Sequence, residues 1–242
     1  RTQSDLPSSR PGARFFTIDL KAAANRSFVD RVPFDGNGWA DLGPNYDLRA
    51  LKPGKREMAG VPFQIIDETR NHGHGAVMVH NRRFMNRSLP TRVEIPVGRK
   101  AASINFLHTL DERPSQCYQV KRELVGYYFV VYDDGTYEPM EIKYAINISN
   151  YDGLNTWWDY SPRGETLKRG VLAWKGHLGT GNEAVLYRAE WVNPYPDRMI
   201  NRMIFSATWK PLGVNPILIA TTGVEPTQHD LANPQPARSL RG

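Results

Sequence analysis

The chain has 242 residues, 40% of them apolar, 23% charged and 11% aromatic, with 31 Lys and Arg against 25 Asp and Glu for a net charge of +6. That apolar content excludes a largely disordered chain, the single Cys117 excludes an intrachain disulfide framework, and no apolar run approaches the ~18 residues of a membrane span. The basic excess lies on the body and is dispersed, with Arg82, Arg83, Arg87, Arg92, Arg99 and Lys100 the densest set, so a nucleic-acid-binding arm is not expected.

Residues 1–13 hold Ser4, Pro7, Ser8, Ser9, Pro11 and Gly12 and read as a lead-in or linker. Residues 14–223 read as one domain. Residues 224–242, with Pro226, Pro234 and Pro236, read as a tail or linker to a neighbour, and the chain is expected to be a piece of a longer polypeptide.

Within the body the pattern is strand-like almost throughout. Phe15–Leu20 is aromatic and partly alternating, a single helical turn is expected over Leu20–Asn25, and Val61–Ile65 alternates cleanly. Ala76–His80, Val93–Val97 and Ser103–His108 follow. Val125–Tyr132 and Glu141–Ile148 flank Asp133-Asp134-Gly135, a hairpin turn in which glycine supplies the positive φ. Val171–Trp174, Ala184–Val192, Ile200–Trp209 and Pro216–Thr222 complete the set, with a short helical turn expected over Asp197–Met203. About ten or eleven short strands divided by Gly, Pro, Asn and Asp, with no long amphipathic helices between them, predict an all-β sandwich or jelly roll.

Several chemistries lack their sequence signature. No Gly-rich phosphate loop is present; Gly176–Gly181 reads as a turn. His72 and His74 have no cysteine pair or second histidine motif for zinc. Cys117 follows His108 by nine residues, which does not establish a nucleophile pair. Asp133, Asp134, Asp159 and Glu190 are carboxylates a glycosidase could use, without a convincing arrangement.

Two segments are richer. Asp30 to Asp47 repeats hard oxygen donors, and Asp30, Asp35, Asn37 and Asp41 are candidate ligands for a structural Ca²⁺. The alternative is a loop held by Asp and Asn side chains bonding their own backbone. Asn155 to Pro162 places Trp157, Trp158 and Tyr160 beside turn residues, where rings can stack on sugar faces or fill the core.

Phe28-Val29-Asp30, Gly38-Trp39-Ala40-Asp41-Leu42-Gly43-Pro44-Asn45-Tyr46-Asp47-Leu48, Gly60–Asp67, Ile104–His108, Gly126–Gly135 and Glu190–Pro196 together resemble the galactose-binding-domain-like β-sandwich modules attached to bacterial polysaccharide-degrading enzymes. The resemblance covers roughly residues 14–223. It implies a secreted, periplasmic or cell-surface location, a structural Ca²⁺, and a non-catalytic role binding a polysaccharide beside a catalytic domain. Asp35-Gly36-Asn37 before Trp39 is similar to the calcium loop of those modules, except that Gly38 stands where a hydroxyl residue is common. Trp157, Trp158 and Tyr160 would stack on the sugar, with Arg82, Arg83 and His74 as polar partners, and the basic body points to a uronic or sulfated glycan. The alternatives are a structural module packing against a catalytic domain without binding sugar, and a jelly-roll glycoside hydrolase or polysaccharide lyase.

Overall fold

A computed structural model describes residues 6–80, 89–112, 123–152, 167–208 and 214–232. Among these the chain forms β1 (Phe15–Ile18), β2 (Gly54–Met58), β3 (Val61–Ile65), β4 (Val77–Met78), β5 (Arg92–Arg99), β6 (Ser103–Glu112), β7 (Leu124–Tyr132), β8 (Tyr137–Lys143), β9 (Val171–His177), β10 (Glu183–Val192), β11 (Ile200–Ala207), β12 (Val214–Val224) and a short helix α1 (Gln228–Ala232). No helix among the described residues is long and apolar enough to cross a membrane.

The strands build a six-stranded sheet in the order β1–β12–β6–β10–β9, a four-stranded sheet β5–β11–β7–β8, and the hairpin β2–β3. In the larger sheet β12 offers one edge to two short strands, β4 opposite Ile217 and Leu218 and β1 opposite Thr221 to Val224. Four nested antiparallel pairs make up the core: β4 with β12, β5 with β11, β6 with β10 and β7 with β8. Pairing of β12 with β6 and β11 with β7 folds them over one another. This is the double-sheet jelly-roll form of a β-sandwich, with β9 added at one edge.

Strand alternation divides each sheet into two faces. Ile95, Phe106, Tyr128, Val130, Met203, Phe205 and Leu218 face inward and fill the space between the sheets. The Tyr128 ring stacks on Phe106 at 3.9 Å and on Phe205 at 4.8 Å, locking the sheets together.

A second core lies on the opposite face of the six-stranded sheet. There Phe28, Trp39, Leu48, Met58, Phe63 and Ile65 pack onto Leu107, Leu186, Ile217 and Ile219. The larger sheet is therefore covered on both sides, by its partner sheet and by the β2–β3 hairpin with the loop preceding it. This explains why β12 is an almost continuous buried run rather than an alternating one.

Three local expectations change. The strand expected over Glu141–Ile148 starts earlier, at Tyr137, because the Asp133–Gly135 turn is tight: Tyr132 N–H donates to the Thr136 carbonyl and pairing begins at once. The chain then leaves the sheet through a turn at Ala145 (φ 56°), closed by Asn147, which accepts from Lys143 N–H at 2.8 Å. Asp197–Met203 is not a helical turn throughout, since β11 begins at Ile200. Strand β2 escaped the pattern because four of its five residues face water or the rim and only Met58 is buried.

The ends described here pack against the body. Pro7 and Ser8 are buried in a 3₁₀ turn against the six-stranded sheet. Arg10 pairs with Asp230 of α1, and Glu225 pairs with Arg99 at 2.8 Å and Arg14 at 3.3 Å.

Candidate functional site

Strand register brings many chain crossings to one end of the sandwich. Val214 at the start of β12 lies opposite Glu112 at the end of β6. Thr208 N–H donates to the Val125 carbonyl, His80 N–H to Pro90 and Tyr151 N–H to Leu110. Asp152 bridges Ala184 at the start of β10. These residues border the segments that hold Arg82 and Arg83, Cys117, and Trp157, Trp158 and Tyr160, all of which lie outside the described residues.

The loop from Arg26 to Arg49 closes over this end. Its base is clamped by Asp47, which is fully buried, accepts from Asp30 N–H at 2.9 Å and holds Arg49 through a two-pronged pair at 2.6 and 2.8 Å. Trp39 seals the inner side, edge-on to Tyr151 at 5.5 Å and tilted against Phe28 at 6.2 Å. At the tip, Val32 and Phe34 are exposed, Phe34 and Asp41 both adopt positive φ, and Phe34 N–H donates to the Asp41 carbonyl.

The four expected calcium ligands share this loop but not one centre. Asp35 Oδ1 accepts from Asn37 N–H at 2.8 Å on the exposed tip. Asp41 Oδ1 accepts from Gly36 N–H at 2.9 Å, and Asp30 Oδ2 from Leu42 N–H at 3.0 Å. The other Asp30 oxygen is buried without a hydrogen-bond partner, and burial raises the Asp30 pKa. That orphan oxygen is the one feature that suits a cation. Among the described residues no three His, Cys, Asp or Glu side chains are grouped to hold a metal, whereas Ca²⁺ takes six to eight oxygens. A cation is already present in the loop: Arg26 is buried and donates to the Gly36 carbonyl at 2.7 Å. Desolvation lowers its pKa, opposed by the charges of Asp41, Asp111, Asp30 and Asp35.

His74 stands exposed in the turn before β4, its carbonyl accepting from the Asn71 amide at 2.9 Å. It lies at the opposite end of that strand from His80. His108 is fully buried in the core, bonded to the Asn147 carbonyl at 2.9 Å and to Tyr128 Oη at 3.1 Å. Of the carboxylate candidates, Asp134 caps its own turn by accepting from Thr136 N–H at 3.0 Å and pairs with Arg198. Glu190 is tied into a buried polar cluster, accepting from Ser8 N–H at 3.0 Å and from Ser103 Oγ at 2.5 Å, with Arg188 4.0 Å away. Asp159 lies outside the described residues.

The structure adds a feature the sequence reading missed. On the solvent face of the four-stranded sheet, Tyr127 and Phe129 of β7 stack at 5.0 Å, and Tyr137 of β8 stands edge-on to Phe129 at 5.6 Å. Tyr137 is 60% exposed. Register places Ile204 and Ser206 of β11 beside Phe129 and Tyr127, and Arg202 beside Val131. Arg202 pairs with Glu94 at 3.1 Å and Lys143 with Glu141 at 2.6 Å along the rims. The result is a row of three rings on one face of the sheet, bordered by hydrogen-bonding groups. The signal was the Tyr127-x-Phe129 alternation, read simply as strand, with Tyr137 brought alongside by the hairpin turn.

No protein-family model matches the chain, and no curated protein matches it in sequence.

Proposed function

We propose that this β-sandwich is a non-catalytic polysaccharide-binding module, of the galactose-binding-domain-like kind, that serves a glycan-degrading enzyme at or beyond the bacterial cell surface. The observation that carries the reading is the Tyr127–Phe129–Tyr137 row. Flat rings held by a rigid sheet offer apolar faces to sugar rings, and Arg202, Glu94, Glu141 and Ser206 can bond hydroxyls beside them. A fixed sheet also loses little side-chain freedom on binding, which favours affinity. Attachment to an enzyme would raise its effective concentration at the substrate. Trp157, Trp158 and Tyr160, with Arg82, Arg83 and His74, are a second proposed contact set.

A second reading, a module that packs against a catalytic domain without binding sugar, draws on the same face, since exposed Tyr137 beside Phe129 and Ile204 suits a protein interface.

Affinity electrophoresis of the chain against neutral and anionic polysaccharides tests both. Retardation abolished by alanine at Tyr127, Phe129 and Tyr137 supports binding on the sheet face. Retardation abolished only by alanine at Trp157 and Trp158 moves the site to that segment. No retardation by any glycan overturns the binding role in favour of the packing module.

A further inference from the structure

Of the ion pairs among the described residues, only Arg188–Glu190 has both side chains out of water, at 5% and 1% exposure. The two alternate along β10 and so share one face of the six-stranded sheet. Register sets Asn105 of β6 opposite Glu190 on that face, and Ser103, two residues before it, donates its hydroxyl to Glu190 Oε1 at 2.5 Å. A covered sheet face is ordinarily apolar, yet this one buries a guanidinium, a carboxylate, an amide and a hydroxyl together.

The cover is the turn at Pro7–Ser9, and Ser8 sits on the patch as a hydroxylated ligand would. Its Oγ donates to Glu190 Oε2 and accepts from Arg188 Nη1 at 3.0 Å, and its N–H donates to Glu190 Oε1 at 3.0 Å. A group that donates to a carboxylate and accepts from a guanidinium at once is an alcohol. Ser8 does not complete the patch. Arg188 Nε and Asn105 Nδ2 are buried without a hydrogen-bond partner among the described residues. Two donors left over beside one bound hydroxyl suit a ligand with further oxygens close by, as a sugar ring has. Beyond Ser8 the segment is tied by Arg10 to Asp230. Lifting it returns polar groups to water, which costs less than uncovering an apolar face.

We propose that Arg188, Glu190, Asn105 and Ser103 form a second saccharide site, closed by residues 6–13 as a strap, with the Ser8 hydroxyl standing where a sugar hydroxyl binds. That the hydroxylated ligand is a glycan rests on the reading above; the site itself does not, since the ring row belongs to the other sheet.

Hydrogen exchange of the full wild-type chain tests the strap. The Ser9 and Arg10 amides, bonded within the turn, should exchange by local opening about tenfold or more faster than β10. A glycan that enters the site should speed exchange over residues 6–13 further. Strap exchange only through global unfolding overturns the proposal, and neither measurement needs a variant. Ser8→Leu, apolar and too large for the place between Glu190 and Arg188, should release the strap. Affinity electrophoresis of both chains on neutral and anionic polysaccharides then tests the ligand. With the closed state removed, binding to one glycan should tighten about tenfold, and the gain should persist with alanine at Tyr127, Phe129 and Tyr137. A released strap with no gain for any glycan overturns this site and leaves the ring row standing. Binding by Ser8→Leu that survives the ring alanines supports this site even where the ring row fails.

Discussion

His108 Nδ1 accepts the phenol proton of Tyr128 at 3.1 Å in the middle of the sandwich. The direction follows from the other ring nitrogen: the Asn147 carbonyl can only accept, so Nε2 must donate. The pair therefore requires a neutral imidazole.

Burial lowers the His108 pKa from 6.5 to about 4. Between these values the unfolded chain binds a proton that the folded chain refuses. Stability from this group is complete above pH ~6.5 and falls as pH drops towards about 4, by about 3 kcal/mol in all. Urea midpoints at pH 7 and pH 4.5 should show the wild type losing more stability than His108→Gln over that interval. Parallel losses would refute the assignment.

Gly38 has φ +76°, and a Cβ there would sit 2.5 Å from Asp30 Cγ. A side chain at this position meets the buried Asp30 carboxylate. Gly38→Ala and Gly38→Ser should each cost about 2–4 kcal/mol by chemical denaturation. A cost below about 1 kcal/mol would mean that Asp30 moves aside freely.

Ser8 donates its hydroxyl to Glu190 and accepts from Arg188 at 3.0 Å. Both charged side chains are nearly inaccessible, so losing the hydroxyl leaves them short of a partner. Ser8→Ala should destabilise the fold by about 1–3 kcal/mol, which a denaturation curve with unchanged slope would register. A null effect would show that the residues 6–13 segment sits on the sheet without supporting it.

Tyr137 is mostly exposed, so Tyr137→Ala should change the thermal midpoint by no more than a degree or two while weakening binding to a retained glycan about tenfold, or ~1.4 kcal/mol. Unchanged affinity would remove Tyr137 from the proposed binding row.

The fold class was legible because most strands carry their own period. Val61–Ile65 alternates against one covered face, and the Asp133–Gly135 turn announces its hairpin. Strand β2 was not legible because Lys55, Arg56 and Glu57 are exposed and only Met58 is buried, leaving no alternation to read. The two-sided cover of β12 was visible only as an apolar run, which does not say what lies on each side. The site was less readable still. Spacing along the chain showed acidic residues between Asp30 and Asp47, but not that Asp35 Oδ1 and Asp41 Oδ1 are taken up by backbone N–H groups of their own loop. Tyr137 carried no signal of its own in the sequence; the register across β7 and β8 is what sets it beside Phe129.

The placement of β12 also bears on how the protein is made. Its ladder partners β1, β4 and β6 all precede it in the chain, the first by about two hundred residues. At synthesis rates of roughly 5–20 residues per second, β1 waits on the order of ten seconds or more for the strand that will hold it. During that interval the nascent chain carries unpaired strand edges around what becomes the centre of the larger sheet. A folding helper acting on this protein would therefore be needed most before residue 224 leaves the ribosome, and substitutions in β12 should depress yield in cells more than their effect on equilibrium stability predicts.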